Sequence, residues 1–524
     1  MDIIMKRQIV NFINFIRGNE PRFEIDLFET VKGHIDLLTK YGFKGTFLLQ
    51  YDALINPEYT DMLKALPSDQ FEIGVWFEIP QPLVENSNVP WRGCVPWDCR
   101  ANVGFSVGYE NDQKKAMVDE LFEKFKEIFG YYPKSFGSWA FDIVALNHAN
   151  EKYGLDAACN CKDQVGTDGY TMWGGYYGQA YYPSKVNSYC PAQNEENQVK
   201  VPIFRMLGSD YIYQYDFGYN VNNTGNSGIM GVVSLEPGYT SKVLGGGGVR
   251  EWNEWYFDQN FSGNCLSFGY TQAGQENDFF WKQINPGLYS QCEIIKKMVE
   301  EGRLEVETLG ETGRWYKETY PVTPASSLVA DHDWKNSGKK TWWYCCKNYR
   351  VNFYAENGKF WIRDLYIFDE KYEERYLNNV CTTEYLEYDT LPVMDGVRFC
   401  GNGKRAGIYL KAKADGTDKG LDFYDIRYSE DGTSASLDVV YTPVGNVRIV
   451  ASEDGIKVTA TEKDFVIEPV YADFTDKYVT AKKANDHRAD LTAQGFGYGI
   501  DVLCGTLGDD FTVASENKTI EVKL

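Results

Sequence analysis

The chain has 524 residues, of which 43% are hydrophobic and 24% charged, and this is the composition of an ordinary globular protein. Its length exceeds one ordinary hydrophobic core, so two or more domains are expected. The formal net charge of -22 argues against nucleic acid or an anionic membrane as a partner, because both need a positive protein surface.

Residues 1 to about 325 alternate between strand-like and helix-like segments. Strands are predicted at QIVNFINFI, GTFLLQY, FEIGVWFEI, KSFGSWAFD, LDAACNC, VPIFRML, GIMGVVSLE, NCLSFGYTQ and RLEVETLGE. Helices are predicted at DLFETVKGHIDLLTKYG, ENDQKKAMVDELFEKFKEIFG, IVALNHANEKYG and INPGLYSQCEIIKKMVEEG. Seven or eight βα units in this order predict an α/β fold, a parallel (β/α)7-8 barrel.

After about residue 330 the helical periodicity disappears. Segments such as YRVNFYAENGKFWIRDLYIFDE alternate polar and apolar residues with period two around ENG, EDG and ADG turns. This pattern predicts an all-β, sandwich-like region packed on the barrel. We therefore expect a barrel domain over residues 1–328 and an all-β accessory domain over residues 329–524.

The 12 cysteines and the amino terminus bear on the cellular compartment. No pair of CxxC clusters or Cys-His spacing suits zinc, so we interpret the cysteines as free, mostly buried thiols. The first residues, MDIIMKRQIVNFINFIRG, show no signal-peptide pattern, and no window reaches the roughly 18 apolar residues that span a bilayer. These features predict a cytoplasmic protein.

Four segments carry a resemblance to a known fold family: NFIRGNEP (14–21), KYGFKGTFLL (40–49), FEIGVWFEIPQP (71–82) and PKSFGSWAFD (133–142). In order and position they resemble the polysaccharide-deacetylase (NodB-type) barrel and related glycoside hydrolases. That family holds a divalent metal with one Asp and two His. Here Ile16 and Arg17 stand in place of the Asp pair, and Trp76 and Pro80 in place of the histidines. Because a guanidinium repels a metal cation, we expect no metal and no cofactor.

A longer run, from NFIRGNEPR to GGYYGQAYYPSK, is also similar to a family of proteins from gut-dwelling bacteria. That second resemblance implies a setting of glycan degradation but no particular activity.

Three acidic residues are the catalytic candidates. Active sites of parallel barrels lie at the carboxyl ends of the strands. Glu78 and Asp142 end consecutive predicted strands, and such a pair suits glycoside hydrolysis, which needs one carboxyl as acid and another as base or nucleophile. Glu311, in LGETGRW on the predicted last strand, is the third candidate. The alternative for each acid is a salt bridge to one of the arginines or an N-cap of the following helix. Asp142 precedes the predicted helix IVALNHANEKYG and is a candidate cap, whereas Glu78 begins no predicted helix.

Further polar and aromatic side chains where strands stop are predicted to bind substrate: Arg17, Glu20, Asp52, Trp139, Asp163, Arg205, Glu236, Glu276, Arg314 and Trp315. Three of them, Arg17, Arg205 and Arg314, are candidates for clamping a carboxylated sugar. The alternative is that they neutralise acidic residues of the barrel itself. For Asp163, and for Asp168 in the same loop, the alternative is a role in a turn.

Two aromatic loops, residues 89–105 and 169–193, are candidate sugar platforms. Their aromatic candidates are Trp91, Trp97, Trp173, Tyr176 and Tyr177. The alternative is that these rings pack the loops onto the barrel or onto another subunit of a homo-oligomer.

Together these features predict a metal-independent glycoside hydrolase that acts on glycans, with an acidic sugar of uronic or sialic type suggested by the arginines. The expected partner is a carbohydrate, not nucleic acid or membrane. Two alternatives stay open: a carbohydrate esterase or deacetylase-like hydrolase with a different metal arrangement, and a non-catalytic glycan-binding protein.

Overall fold

The computed structural model describes residues 6–165, 170–206, 208–216, 233–240, 242–387, 389–412 and 421–524. Its first part is a curled half-barrel sheet made of β1 Gln8–Ile16, β2 Gly45–Leu49, β3 Phe71–Trp76, β4 Ser135–Gly137, β5 Ala157–Cys161, β8 Ala180–Tyr181, β11 Ile203–Met206, β12 Gly269–Ala273 and β13 Glu305–Glu307. The hydrogen-bonded order is β12-β1-β2-β3-β4-β5-β11-β8, with β13 also paired to β1. All these pairs are parallel except β11 with β8.

Helices cover the half-barrel sheet or cross its ends. They are α1 Leu27–Tyr41, α2 Tyr51–Leu54, α3 Pro57–Lys64, α4 Gln81–Asn86, α5 Ala101–Gly104, α6 Asn111–Phe129, α7 Ile143–Tyr153, α8 Arg250–Asn260, α9 Trp281–Glu300 and α10 Leu309–Thr319. Two minor pairings lie between β5 and β11: β6 Gln164–Val165 with β7 Tyr170–Met172, and β9 Pro183–Ser184 with β10 Asn187–Pro191.

Local sequence explains why these elements begin and end where they do. All nine residues of β1 are buried, as expected for a parallel strand covered on both faces. Asp26 caps α1 by accepting hydrogen bonds from the amides of Phe28 and Glu29. Gly42 ends α1 with φ 67°, a left-handed conformation that favours glycine.

The last predicted strand differs from the structure. The strand β13 stops at Glu307, and LGE begins α10 because Thr308 and Glu311 form a reciprocal capping box. The amides at the start of α10 donate to Thr46 Oγ1 at 2.9 Å and to Glu72 Oε2 at 2.8 Å, near the amino ends of β2 and β3. The helix therefore covers the amino-terminal end of the sheet. Part of the predicted strand GIMGVVSLE lies outside the described residues.

The all-β region consists of two antiparallel sheets, so with the half-barrel it confirms the predicted fold class. The first sheet contains β14 Ser326–Ala330, β15 Lys340–Cys345, β16 Tyr349–Glu356, β17 Lys359–Ile367, β19 Leu391–Met394, β20 Gly407–Ala412, β21 Leu421–Asp422, β26 Phe465–Val470, β30 Thr506–Leu507 and β31 Val513–Ala514. The second contains β22 Asp425–Asp431, β23 Ser434–Thr442, β24 Gly445–Ser452, β25 Gly455–Ala460, β27 Thr480–Asn485, β28 Arg488–Ala493, β29 Phe496–Cys504 and β32 Thr519–Lys523. Buried apolar side chains of both sheets share one core.

One strand of the all-β region reaches back to the half-barrel: β18 Leu386–Glu387 pairs with β7. The cysteines are free thiols, and all except Cys94, Cys99 and Cys504 are buried. Within the described residues, no helix is long and apolar enough to cross a bilayer.

The buried His34 of α1 makes an acid-stability prediction. Its ring meets Trp281 of α9 edge-on, and burial lowers the pKa of His34 to about 3. The folded state thus keeps this ring neutral while the unfolded chain protonates it near pH 6.5. The resulting stability is complete above pH 6.5 and is lost as the pH falls towards 3, with a slope of roughly 1.4 kcal/mol per pH unit.

We expect His34→Phe to remove this slope between pH 6 and 4, measured as the free energy of unfolding in urea at each pH. The control is His487→Phe, which changes an exposed ring. An unchanged slope in His34→Phe would contradict the assignment.

Candidate functional site

The carboxyl end of β1 presents Arg17, a wholly buried guanidinium surrounded by carboxylates. Its Nε and Nη2 bind the two carboxylate oxygens of Glu78 at 2.9 and 3.0 Å. Its Nη1 binds Asp278 and lies 3.2 Å from Glu276 Oε2. Burial alone lowers the pKa of a guanidinium, but these three carboxylates raise the pKa of Arg17 well above its ordinary value, so the group stays cationic.

Strand pairing brings these side chains together. Because β1 lies between β12 and β2, the residues after β1 meet the loop that follows β12. Asn277 of that loop accepts from the Arg17 amide at 2.9 Å and donates to the Arg17 carbonyl at 3.0 Å. Glu78 lies two residues after the end of β3, and the intervening Phe77 amide donates to the Gly137 carbonyl of β4 at 2.7 Å. Backbone contacts therefore fix both partners of the central ion pair.

A second arginine extends this group towards solvent. Arg22 Nε donates to Glu20 Oε1 at 2.7 Å, and Arg22 Nη2 lies 3.1 Å from Asp278 Oδ2. Burial raises the pKa of Glu20, but its bonds to Arg22 outweigh this and lower that pKa overall. The Trp97 ring lies 4.0 Å from the Arg17 guanidinium carbon and 5.0 Å from that of Arg22.

We call this group the arginine–carboxylate cluster, and it consists of Arg17, Arg22, Glu20, Glu78, Glu276 and Asp278. Four carboxylates face two guanidiniums, so the cluster is negative when all its groups are ionised. It lies where parallel barrels carry their active sites.

The open side of the cluster carries exposed aromatic rings. Phe23 and Phe280 are each 44% exposed, and their ring centroids lie 6.0 Å apart. Tyr239 is 39% exposed. The pKa of its phenol is raised, most strongly by the charge of Glu236 and less by burial and by the charge of Glu276. The Tyr239 amide donates to the Glu236 carbonyl at 3.2 Å, and the charge of Glu276 acts on the same phenol. Glu236 and Glu276 keep 8% and 7% exposure, whereas Glu78 has none.

Two further sequence-predicted residues lie beside the cluster. Asp52 Oδ1 accepts from the Gly18 amide at 3.0 Å, next to Arg17, and burial raises the pKa of Asp52 to about 6. Trp139 packs edge-on against Phe15 and Trp76, with centroid distances of 5.3 and 5.7 Å. Trp139 thus supports the buried aromatic layer below the cluster.

Asp163 and Arg205 belong to a separate buried network that joins the half-barrel to the all-β region. Asp163 accepts from Arg350 Nη1 of β16 at 2.6 Å and from the Tyr189 hydroxyl at 2.8 Å. Asp364 of β17 binds the same Arg350 through two bonds of 2.9 Å. Arg205 lies 3.9 Å from Asp163 and donates to Tyr189 at 3.1 Å. Arg350 and Asp364 lie far along the chain, and no signal near Asp163 predicts them.

Lys162 is a buried residue at the carboxyl end of β5 that the sequence did not single out as a candidate. It directly follows β5, and its Nζ lies 4.9 Å from the centre of the Tyr177 ring. Burial, helped by the positive charge of Arg205, lowers the pKa of Lys162 to about 7. The rule that selected Asp163, a polar residue where a strand stops, also finds Lys162.

Within the described ranges, the contacts of Asp142 are with residues other than Glu78. Its Oδ1 accepts from the Ala145 amide at 3.1 Å as the N-cap of α7, and its other oxygen accepts from Ser106. These contacts correspond to the capping alternative. A second acid from the all-β region, Glu374, lies nearby; burial and then the charge of Asp142 raise the pKa of Glu374 to about 7.

Glu311, Arg314 and Trp315 lie at the opposite end of the sheet, so the prediction that places Glu311 on the last strand beside the first is wrong. Glu311 binds Lys44, just before β2, at 2.5 Å, and Arg314 binds Asp156, just before β5, at 2.7 Å. Trp315 stacks under Arg7, before β1. The physical reason is the capping box, which turns this segment into α10.

The predicted arginine clamp does not assemble, because Arg17, Arg205 and Arg314 lie in three different places and each faces a carboxylate of the chain.

The predicted aromatic platform is also corrected. Four of its rings, Trp97, Trp173, Tyr176 and Tyr177, are buried, and Trp91 is half-buried. Asp168 lies outside the described residues. Of the exposed rings, Phe23 and Tyr239 stand singly in the sequence, whereas Phe280 lies in the aromatic run 279–281, just before α9.

The metal of the NodB-type family does not fit these residues. Ile16 and Trp76 are buried apolar side chains, Trp76 stacks on Phe15 at 3.9 Å, and Pro80 precedes α4. The guanidinium of Arg17 holds the position among the carboxylates that a cation would need. Across the described ranges, no group of three or more His, Cys, Asp or Glu side chains is arranged to hold a metal ion.

Comparison with solved structures supports the fold. The chain is similar to a proposed glycoside hydrolase/deacetylase from Parabacteroides distasonis, with a TM-score of 0.54 and 14% identity over 75% of this chain and 92% of that one. Weaker matches include a proposed polysaccharide deacetylase from Mycobacterium smegmatis (TM-score 0.34, 11% identity, 61% and 94% covered) and a GH57 branching enzyme from Thermococcus kodakaraensis (0.31, 10%, 60% and 71%). No family model and no curated protein sequence matches the chain. The first match confirms, for the fold, the resemblance to deacetylase and glycoside-hydrolase barrels.

Removing the central guanidinium tests the cluster. We expect Arg17→Met to lower the free energy of unfolding by about 3–5 kcal/mol, because it leaves buried carboxylates unpaired. Arg17→Met combined with Glu78→Gln should cost less than the sum of the single changes, since the partners depend on each other. The control Arg314→Met breaks an exposed pair and should cost less than about 1 kcal/mol. Additive losses in the urea unfolding curves would contradict the coupling.

Lys162 makes a prediction of the same sign as that of His34, at higher pH. With a folded pKa of about 7 against roughly 10.4 when unfolded, the cost of burying this amine is complete below pH 7 and disappears as the pH rises towards 10. Lys162→Met should therefore be more stable than the parent protein at pH 7, by a margin that shrinks by roughly 1.4 kcal/mol per pH unit up to pH 10. The control is the exposed Lys115→Met. A margin that does not change with pH would refute the lowered pKa.

Proposed function

We propose that the protein is a carbohydrate-active hydrolase whose glycan substrate binds over the arginine–carboxylate cluster. The observation that carries the proposal is the cluster at the carboxyl end of a parallel half-barrel, where Glu276 lies 3.2 Å from Arg17 Nη1 and keeps 7% exposure. Glu236, 8% exposed, binds the amide of the exposed Tyr239 through its carbonyl at 3.2 Å, and the charges of both acids act on that phenol. The fold shared with the Parabacteroides distasonis protein is compatible with it. Exposed rings beside the acids provide flat apolar faces for sugar rings.

The reaction proposed is metal-independent hydrolysis of an O-glycosyl bond. One carboxylic acid gives its proton to the leaving oxygen while the other carboxylate activates water or attacks the sugar carbon directly. Glu236 and Glu276 are the pair we assign to these roles, because both keep contact with solvent. Glu78 is wholly buried and bound through both oxygens, so we assign it to holding Arg17 in place.

The charge balance bears on the substrate. Arg17 is saturated by the carboxylates of the chain, and the whole cluster carries more acids than arginines. An anionic uronic or sialic acid would meet net repulsion there. A neutral sugar or an amino sugar fits this electrostatic surface better than the acidic sugar that the arginines suggested.

A second function, non-catalytic glycan binding, is favoured by one observation. Glu20, Glu78 and Asp278 all bind arginine, and such ion pairs lower the basicity of a carboxylate. In that case the cluster would shape a rigid binding surface beside Phe23 and Phe280 without chemistry.

A panel of chromogenic neutral, amino, uronic and sialic glycosides separates these functions. We expect release from a neutral or amino sugar that withstands chelator, and a loss of kcat by about 10²–10⁴ in Glu276→Gln and Glu236→Gln. Phe280→Ala should raise KM while changing kcat little, because it removes binding surface alone. Glu311→Gln, at the opposite end of the sheet, is the matched control and should keep full activity.

Three results would each contradict a different part of the proposal: the hydrolase activity, its metal independence or its catalytic residues. Glycan binding by calorimetry that survives both glutamine variants, without release of any sugar, would favour the binding protein. Activity lost on chelation would contradict the metal-independent reaction. Activity kept in both variants would move the reaction away from Glu236 and Glu276.

A further inference from the structure

The all-β region contains a large apolar cavity between its two sheets. Its volume is about 430 Å³, within the range of roughly 300–1,000 Å³ that is typical of small-molecule pockets. The first sheet contributes Ile408 and Ile467, and the second contributes Val458, Leu491 and Val502. Aliphatic side chains thus line the cavity from both sides, in a part of the chain that the proposed function does not use.

One polar side chain stands out in this lining. Thr475, in the short turn between β26 and β27, is only 4% exposed, and its Oγ1 has no hydrogen-bond partner among the described residues. A buried hydroxyl without a partner costs free energy, and native proteins usually avoid it. A ligand that carries one hydroxyl or carbonyl group inside the cavity would satisfy this group.

The rim of the cavity limits the charge of that ligand. Asp473 and Asp476 lie beside Thr475 on the rim, and Asp473 is paired with Lys404 at 2.8 Å. With the net charge of -22, this rim repels an anionic headgroup such as a fatty-acid carboxylate. Apart from these two aspartates at the rim, the side chains of the described lining residues are uncharged, so a charged group deep in the cavity would have no counter-ion.

We propose that this cavity binds an uncharged, mainly aliphatic molecule with a single hydroxyl or carbonyl group, which hydrogen-bonds to Thr475. The lining holds the aliphatic body by the hydrophobic effect, and the hydroxyl of Thr475 fixes the polar end. The site is separate from the arginine–carboxylate cluster and does not rest on the proposed hydrolase.

The test is a fluorescence titration of the whole protein with the neutral apolar dye N-phenyl-1-naphthylamine, followed by displacement with 1-decanol or decanoate. We expect one dye per chain, displacement by decanol, and at least tenfold weaker displacement by decanoate. Thr475→Val, which keeps the shape of the side chain, should weaken decanol about tenfold and change dye binding little. The matched control Thr492→Val changes an exposed threonine of β28 and should alter neither.

A second variant, Ala489→Phe, places a ring in the cavity and should abolish binding of both compounds in protein that circular dichroism shows to be folded. Absence of dye binding to the parent protein would overturn the proposal, as would equal affinity of decanol for Thr475→Val and the parent. Displacement by decanoate as strong as by decanol would refute the uncharged ligand class. A dimer that Ala489→Phe dissociates, without dye binding, would identify a second copy of the chain as the occupant instead. Because Thr475→Val conserves volume, the proposal stays testable even if Ala489→Phe fails to fold.

Discussion

Burial of the Arg17 guanidinium is the constraint on which the carboxyl end of the half-barrel depends. A guanidinium without solvent needs opposite charges close by, and Glu78, Asp278 and Glu276 supply them from two other segments of the chain. Those segments come together because β3 and β12 flank β1 and β2 in the sheet. The ion pairs that stabilise this end therefore also leave an acidic surface next to exposed rings.

A second buried arginine plays a corresponding part between the two regions of the chain. Arg350 of β16 inserts between Asp163, after β5, and Asp364 of β17. Nearby, Glu374 accepts from the Ile143 and Ser188 amides at 2.8 Å each. These ion pairs and hydrogen-bonded amides join the two regions through a shared interior. The all-β region therefore packs against the β5 and β11 side of the half-barrel and is not an independent appendage.

The two ends of the half-barrel thus differ in character. The amino-terminal end is covered by α10, whose first amides donate hydrogen bonds to the side chains of Thr46 and Glu72. The carboxyl end has acids, arginines and exposed aromatic rings, the groups on which the proposed glycan site rests. The sandwich cavity is a third environment, lined by aliphatic side chains of the all-β region.

Local patterns in the sequence determined the elements: buried runs predicted β1, β2, β3 and β5, and capping residues such as Asp26 and Gly42 marked the ends of α1. The position after a strand was enough to select Arg17, Glu78 and Glu276, since strand ends share one edge of a parallel sheet. Only tertiary structure decided which acid meets which arginine, that Asp142 caps α7, and that Glu311 lies at the other end. Periodicity and caps act over about ten residues, whereas ion pairs such as Asp163 with Arg350 depend on packing between segments far apart in the chain.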